Sequence, residues 1–294
     1  MLKSARPRRS VLYMPGSNTR ALEKARSLPA DALILDLEDA VAPDAKADAR
    51  RNIGEAVGQG GYGRREVIVR VNGLDTPWGR DDVAELATCG ADAILLPKVE
   101  SAAMVRELEE LMADAGAPRS MGIMCMMETP RGILAADEIA RASKRLTCLV
   151  MGTSDLVKDL NAAHTPDRLP VLTSLSLCVL AARASGLAVV DGVHLDLSDD
   201  EGFAAACRQG RQLGFDGKTL IHPKTIAAAN AAFAPSAAEV EQAHRIIAAH
   251  AEAAKAGKGV VVLDGKLIEN LHVESAKRLV ALADAIAALE QQGA

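Results

Sequence analysis

Eight short apolar runs recur between residues 10 and 222, at 10–15, 32–37, 66–72, 93–99, 122–128, 146–152, 188–194 and 218–222. A stretch of helical pattern follows each one, at 18–27, 44–57, 79–88, 101–115, 133–142, 172–185, 200–213 and 223–232. Apolar runs of this length, bounded by Gly, Pro, Ser and Thr, are strand signals. They are apolar throughout rather than alternating, so both faces are buried, as in a parallel sheet covered by helices. Eight strand–helix repeats with short loops predict a closed (β/α)8 TIM barrel of about 250 residues. An open doubly wound sheet would carry a glycine-rich phosphate loop after its first strand, and Pro15-Gly16-Ser17-Asn18 is too short for one.

The chain has 294 residues, so a barrel over 1–234 leaves an extension over 235–294. Residues 237–256 read as a polar, alanine-rich helix, broken by Gly257 and Gly259. VVVLDGKLI then reads as a hairpin turning at Asp264-Gly265. Residues 272–289 read as a last helix, with Leu271, Val273, Leu279, Leu282 and Ile286 on one side. A barrel closes without this segment, which leaves it to pack beneath the barrel or to act as a lid, over a neighbouring subunit in the sharper version.

Composition excludes several classes. A net charge of −5 gives no basic field for nucleic acid, and the one basic cluster, Lys3, Arg6, Arg8 and Arg9, is short. No apolar run approaches the ~20 residues needed to span a bilayer. The N-terminus lacks the apolar core of a signal peptide. Five scattered cysteines without a CxxC pair predict free, buried thiols in a cytoplasmic protein rather than zinc ligands.

Chemistry is expected where strands end. GIMCMMETPRG and LTCLVMGTSDL carry Glu128 and Asp155 at matching positions, so parallel strands bring both carboxylates to one rim. Two hard oxygen ligands with room for water and substrate suit Mg2+. The competing reading makes Glu128 the cap of the helix after Pro130 and Asp155 the cap of the next. Other strand ends offer Tyr13; Asp36, Glu38 and Asp39; Arg70 and Asn72; Lys98 and Glu100; Asp191; and His222. Arg70 lies between Val69 and Val71, where an unpaired charge is costly. It either pairs with the strand-two carboxylates or grips a substrate carboxylate with its planar fork. Lys98 is expected as an ion-pair partner of Glu38, Asp39 or Glu100 rather than a Schiff-base nucleophile, because nearby carboxylates hold its pKa up. His222, before Pro223, reads as a loop-fixing residue.

These residues carry a resemblance. RSVLYMPGS (9–17), LILDLEDAV (33–41), VRVNG (69–73), LLPKVE (95–100), METPRG (127–132), GTSDLVKDL (152–160) and GFDGKTLIHP (214–223) are similar, in order, to the citrate lyase β-subunit-like (HpcH/HpaI aldolase/citrate lyase) family. Within it the chain most resembles the CoA-ester lyases, such as those acting on malyl-CoA and citramalyl-CoA. The resemblance implies a barrel of the phosphoenolpyruvate/pyruvate type, Mg2+ on Glu128 and Asp155, substrate on Arg70 and Glu128, and a homotrimer or hexamer. It places Tyr13, Arg20 and Lys24 along the CoA side and the His222 segment beside the acyl chain, with Asp36, Glu38, Asp39 and Lys98 supporting the metal site. It also implies a tail carboxylate reaching an adjacent subunit's site as acid/base. Where the family has a GKxID-like run, this chain has Gly265-Lys266-Leu267-Ile268-Glu269, so Glu269 takes the role and Asp264 stands second.

The reaction so implied is reversible, Mg2+-dependent carbon–carbon cleavage of a β-hydroxyacyl-CoA to acetyl- or propionyl-CoA and a 2-oxo acid such as glyoxylate or pyruvate. Three alternatives stand beside it: a malyl-CoA thioesterase, a citryl-thioester lyase subunit, and a non-catalytic subunit binding CoA or an acyl carrier.

Overall fold

The structure is a computed structural model that describes residues 6–255, 257 and 259–291. Eight parallel strands close into a barrel: β1 (Ser10–Pro15), β2 (Ala32–Asp36), β3 (Glu66–Arg70), β4 (Ala93–Leu96), β5 (Gly122–Met127), β6 (Leu146–Met151), β7 (Ala188–Asp191) and β8 (Gly217–Leu220). Each pairs with the next in chain order, and β8 returns to β1, where Ser10 faces Lys218. Between them run α1 (Thr19–Ala25), α2 (Lys46–Gln59), α3 (Gly79–Leu86), α4 (Ala102–Asp114), α5 (Pro130–Leu134), α6 (Ala136–Ala140), α7 (Thr153–Asp159), α8 (Leu172–Ala184), α9 (Asp200–Leu213) and α10 (Ile226–Phe233).

The continuous apolar strands reflect two buried layers. Val11, Ile34, Ile68, Leu95, Met124, Met126 and Val150 fill the barrel interior, while their strand neighbours, such as Leu12, Leu35, Val69 and Leu96, pack against helices. Flexible methionines on β5 fill interior volume that a chain with 2% aromatics cannot fill with rings. All five cysteines are free thiols, four of them buried. No described helix is long and apolar enough to cross a membrane.

Ion pairs close the barrel where its strands begin. The Arg8 guanidinium donates to both Glu66 oxygens at 2.5 and 2.7 Å, and Arg9 is clamped in the same way by Asp31. All four side chains are buried. Glu66→Ala would strand the Arg8 charge away from water. It is expected to lower unfolding free energy by about 3–5 kcal/mol, read by denaturant titration. An unchanged midpoint would show that the pair contributes nothing.

Three local departures from the sequence reading have physical causes. The helix expected at 133–142 is two short helices, because Thr129 caps an earlier start at Pro130 and Ala135 leaves helical geometry between them. The strands end sooner than their apolar runs; β4 stops at Leu96 because Pro97 supplies no N–H and Lys98 adopts a left-handed φ of 50°. Helix α7 was hidden, since Thr153-Ser154-Asp155 looks like a loop.

The described residues from Ala234 onward, with Arg6 and Pro7, form a second compact unit. In it α11 (Ala237–Lys255) packs on α12 (Asn270–Glu290), with the hairpin β9 (Val261–Leu263) and β10 (Lys266–Ile268) between them in sequence. Asp264 and Gly265 turn the hairpin with φ of 52° and 74°, the left-handed pair that a two-residue turn requires. Val273, Ala276 and Ile286 form the buried side of α12. Leu271 does not belong to that side: it is 60% exposed, because two residues advance about 200° around a helix.

Candidate active site

The strand-end residues converge into one charged network at the rim where β2 to β6 finish. Arg70, the last residue of β3, donates from Nε and Nη2 to the two oxygens of Asp36 at 2.6 Å each. Its Nη1 lies 2.8 Å from Glu38 and 3.5 Å from Asp39. Asp36 also accepts the backbone N–H groups of Glu38 and Ala40, so one carboxylate sets both the guanidinium and the loop after β2. Of the two sequence alternatives, pairing with the strand-two carboxylates is therefore what the structure shows. The Arg70 charge is pinned: burial opposes it, but Asp36, Tyr13 and Glu38 together raise its pKa well above the usual arginine range. Beneath it lies Tyr13, with the guanidinium carbon 4.9 Å from the ring centre and the hydroxyl donating to the Met126 sulfur at 3.2 Å.

Lys98 links this half of the site to the other. Its ammonium pairs with Glu38 and lies 3.8 Å from Asp155 and 4.0 Å from Asp39. Burial works to lower its pKa, but hydrogen bonding to Glu38 and the charges of Glu38, Asp39 and Glu128 raise it above the ordinary lysine value. An ammonium held this way is not a Schiff-base nucleophile. The left-handed backbone at Lys98 also aims its N–H at Glu128 Oε1, 2.7 Å away. That strain sits beside the site's central carboxylate.

Glu128 follows β5 and is 2% exposed. Gly152, at the junction of β6 and α7, leaves the space it fills: a Cβ there would land on the Glu128 carboxylate and 3.0 Å from the Met126 methyl. Burial pushes the Glu128 carboxyl up to about 7, opposed by the Lys98 N–H, reinforced by Glu38, and opposed again by Arg70 and the Lys98 charge. Asp155 stands in the first turn of α7 and is partly exposed. Neither carboxylate is a helix cap: Thr129 caps α5, and Gly152 precedes α7. Among the described residues no group of three or more His, Cys, Asp or Glu side chains could hold a metal. The protein offers two carboxylates on a rim with excess negative charge, and a small hard cation that keeps water or substrate oxygens fits that donor set. A cavity of about 890 Å3 opens beside Glu38, Asp39 and Lys98 toward Leu74, Trp78 and Met104.

Arg20, Lys24, His222 and Asp191 are not part of this network. Arg20 and Lys24 are exposed one turn apart on α1. His222 accepts the Lys224 N–H on Nδ1 at 3.1 Å, a loop-fixing contact. Asp191 does not face the rim: its strand neighbour Val190 occupies the barrel interior, which turns Asp191 toward the helices. Asp264 is bound by Arg245 at 2.6 Å, and Glu269 starts α12 with its N–H donating to His272 Nδ1 at 3.0 Å. Gly152 was missed in the sequence; its signal was a glycine directly after a strand and three residues before an acid.

The profile of the HpcH/HpaI aldolase/citrate lyase family matches residues 9–223. The chain belongs to that family. It is 54% identical over 288 residues to a (3S)-malyl-CoA thioesterase of Cereibacter sphaeroides, covering 98% of this chain and 99% of the relative. It is 37% identical over 297 residues to the citrate lyase subunit beta of Leuconostoc mesenteroides subsp. cremoris, covering 99% and 98%. Among solved structures, protein CitE from Mycobacterium tuberculosis in complex with magnesium, acetoacetate and coenzyme A superimposes with a TM-score of 0.74 at 30% identity, covering 96% of this chain and 99% of that one. The family is one of enzymes, and its barrel is the one described above.

The raised Glu128 pKa carries a pH signature. A carboxyl whose folded pKa exceeds its ordinary value of 4.5 contributes stability that is fully present below 4.5 and lost as pH rises through about 7. In EDTA the melting temperature is expected to carry this loss between pH 5 and 8. Added Mg2+ should raise it more at pH 8 than at pH 5.5, because the cation competes with the proton. Equal increments at both pH values would argue against Glu128 as a Mg2+ ligand.

Proposed function

We propose that this protein hydrolyses the thioester of a malyl-type β-hydroxyacyl-CoA with the help of Mg2+. What carries the reading is the acidic rim, Glu128 and Asp155 joined through Lys98, in a chain 54% identical over nearly its whole length to (3S)-malyl-CoA thioesterases. Carbon–carbon cleavage, the leading expectation from sequence, becomes the second reading.

In hydrolysis the oxygen of water bonds to the thioester carbon, the carbon–sulfur bond breaks, and sulfur leaves as CoA thiolate that takes up the proton. Mg2+ held by Glu128 and Asp155 would polarise the substrate oxygens it meets. Arg70, held in place by Asp36 and Glu38, would act on the substrate through the field of its positive charge, offsetting negative charge that develops on the oxygen of the breaking thioester. Lys98 remains positive and keeps Glu38 and Asp39 in place. Arg20 and Lys24 meet the phosphates of CoA, Tyr13 supports Arg70 from below, and His222 fixes the loop beside the acyl chain. Glu269, brought by a neighbouring subunit of a trimer or hexamer, moves the proton.

Lyase chemistry uses the same groups, with Glu269 protonating the enolate carbon once the carbon–carbon bond has broken. The citrate lyase relatives at 37% identity favour it. One assay separates the two. With (3S)-malyl-CoA and Mg2+, free thiol is expected to appear in step with malate and without glyoxylate, and EDTA should stop it. Glyoxylate formed in step with acetyl-CoA would establish the lyase instead.

Glu269→Gln is expected to lower turnover by about 10²–10⁴-fold while leaving Mg2+ binding intact, by calorimetric titration. Asp264→Asn should loosen the hairpin through Arg245 with a smaller effect on turnover. The reverse ranking would move the acid/base role to Asp264.

A further inference from the structure

Asp191, the last residue of β7, is fully buried. Its carboxylate accepts from Arg168 Nη1 at 2.7 and 2.8 Å, from Lys218 Nζ at 3.0 Å and from the Gly192 N–H at 2.8 Å. Its backbone carbonyl accepts the Thr219 hydroxyl at 3.1 Å. Lys218 and Thr219 are buried as well. None of these residues enters the chemistry proposed above. A desolvated ion cluster gives little net stability compared with apolar groups of the same volume. What it supplies here is fixed geometry.

The cluster grips α7 from both of its ends. Arg168 closes the loop that follows α7 and holds a left-handed backbone, φ 56°. Such strain persists where the surrounding structure enforces it. Asp191 holds the Nη1 of Arg168, while Gln209 of α9 accepts from its Nε at 2.6 Å and donates to the Asp167 carbonyl at 2.7 Å. At the other end, Asp191 ties down the Gly192 N–H and so lays the Gly192 backbone against Thr153, the first residue of α7. A Cβ on Gly192 would stand 2.5 Å from the Thr153 hydroxyl and 3.0 Å from the Met151 carbonyl oxygen. Thr153 precedes Asp155 by two residues. Glu128 is set by the Lys98 N–H, but Asp155 is carried on the short helix α7. The placement of α7 therefore decides where the second carboxylate stands.

We infer that Asp191 and Arg168 are positioning residues for Asp155, acting through the two ends of α7. The inference rests on the reading of Asp155 as a metal ligand. Removing the Arg168 charge leaves Asp191 and Lys218 as a balanced pair, so Arg168→Met should fold while releasing the loop after α7. Gly192→Ala keeps every charge and pushes on Thr153 instead.

The test uses the full chain with Mn2+ as probe. Electron paramagnetic resonance counts the free ion, and melting in EDTA reports on the fold. Both variants are expected to melt cooperatively and to bind Mn2+ about tenfold more weakly or worse, the scale of loss when a ligand's supporting contacts are removed. A role confined to stability would move the melting temperature and leave the Mn2+ affinity of the folded chain at its wild-type value. Asp155→Asn and the double variant Asp155→Asn/Arg168→Met should bind Mn2+ equally weakly, because both changes act through one side chain. Wild-type affinity in Arg168→Met or in Gly192→Ala overturns the inference, as does a further loss in the double variant. Should Arg168→Met not fold, Gly192→Ala decides alone. Wild-type affinity in Asp155→Asn would instead overturn the metal reading beneath it.

Discussion

Glu128→Gln is expected to lower Mg2+-dependent turnover by about 10³-fold or more, because a metal that polarises a reacting oxygen contributes several kcal/mol to the transition state. The substitution is nearly isosteric, and the glutamine oxygen still accepts the Lys98 N–H, which sits 2.7 Å from Oε1 in the wild type. The fold should therefore survive. In EDTA at pH 8 the variant should melt higher than the wild type, since burial of the Glu128 charge, which raises its pKa to about 7, no longer opposes folding. Activity lost together with stability gained distinguishes a functional carboxylate from a structural one. Asp155→Asn should show the same loss of turnover. Near-normal turnover in both variants would end the metal assignment.

Gly152→Ala is expected to do comparable damage without removing any charged group. The added methyl falls where the Glu128 carboxylate lies, and Met126 blocks retreat on another side at 3.0 Å. Glu128 cannot yield freely, because the Lys98 backbone N–H holds one of its oxygens. Either the carboxylate swings away or the junction of β6 and α7 moves, taking Asp155 with it. Misplacement of a reacting group by about 1 Å costs on the order of 10²-fold, so turnover should fall by at least that much and Mg2+ affinity should fall with it. A Gly152→Ala variant with wild-type turnover and Mg2+ affinity would show that the two carboxylates do not depend on this close approach.

Much of the fold was legible because the strands are buried on both faces. Runs such as ALILD and GIMCMM cannot be surface segments, and eight of them separated by helical patterns leave little choice but closure. What escaped was set by single residues whose neighbours are distant in sequence. Lys98 reads as part of a strand until its left-handed backbone is seen, and that conformation answers to Glu128, thirty residues on. Gly152 reads as a loop glycine until the carboxylate beside it is placed. The unit from Ala234 onward was legible in its elements because Asp264-Gly265 is a strong turn signal and α12 has a long apolar side.

The charged rim was legible only as a set of residues. The sequence pattern placed Asp36, Glu38, Asp39, Arg70, Lys98, Glu128 and Asp155 at strand ends, and the structure joins them. It did not say that Asp36 takes both forks of Arg70, since that depends on the pairing of β2 with β3, where Asp36 stands directly opposite Arg70. Asp191 failed the same pattern because strand period two turns every other side chain away from the barrel axis.

The proposed chemistry requires one divalent cation shared by Glu128 and Asp155. Crystals grown with Mn2+ in place of Mg2+ and measured for anomalous scattering test it most directly. The predicted result is one strong peak within bonding distance of a carboxylate oxygen from each residue. A peak bonded to only one of them, or one lying elsewhere on the barrel, would contradict it.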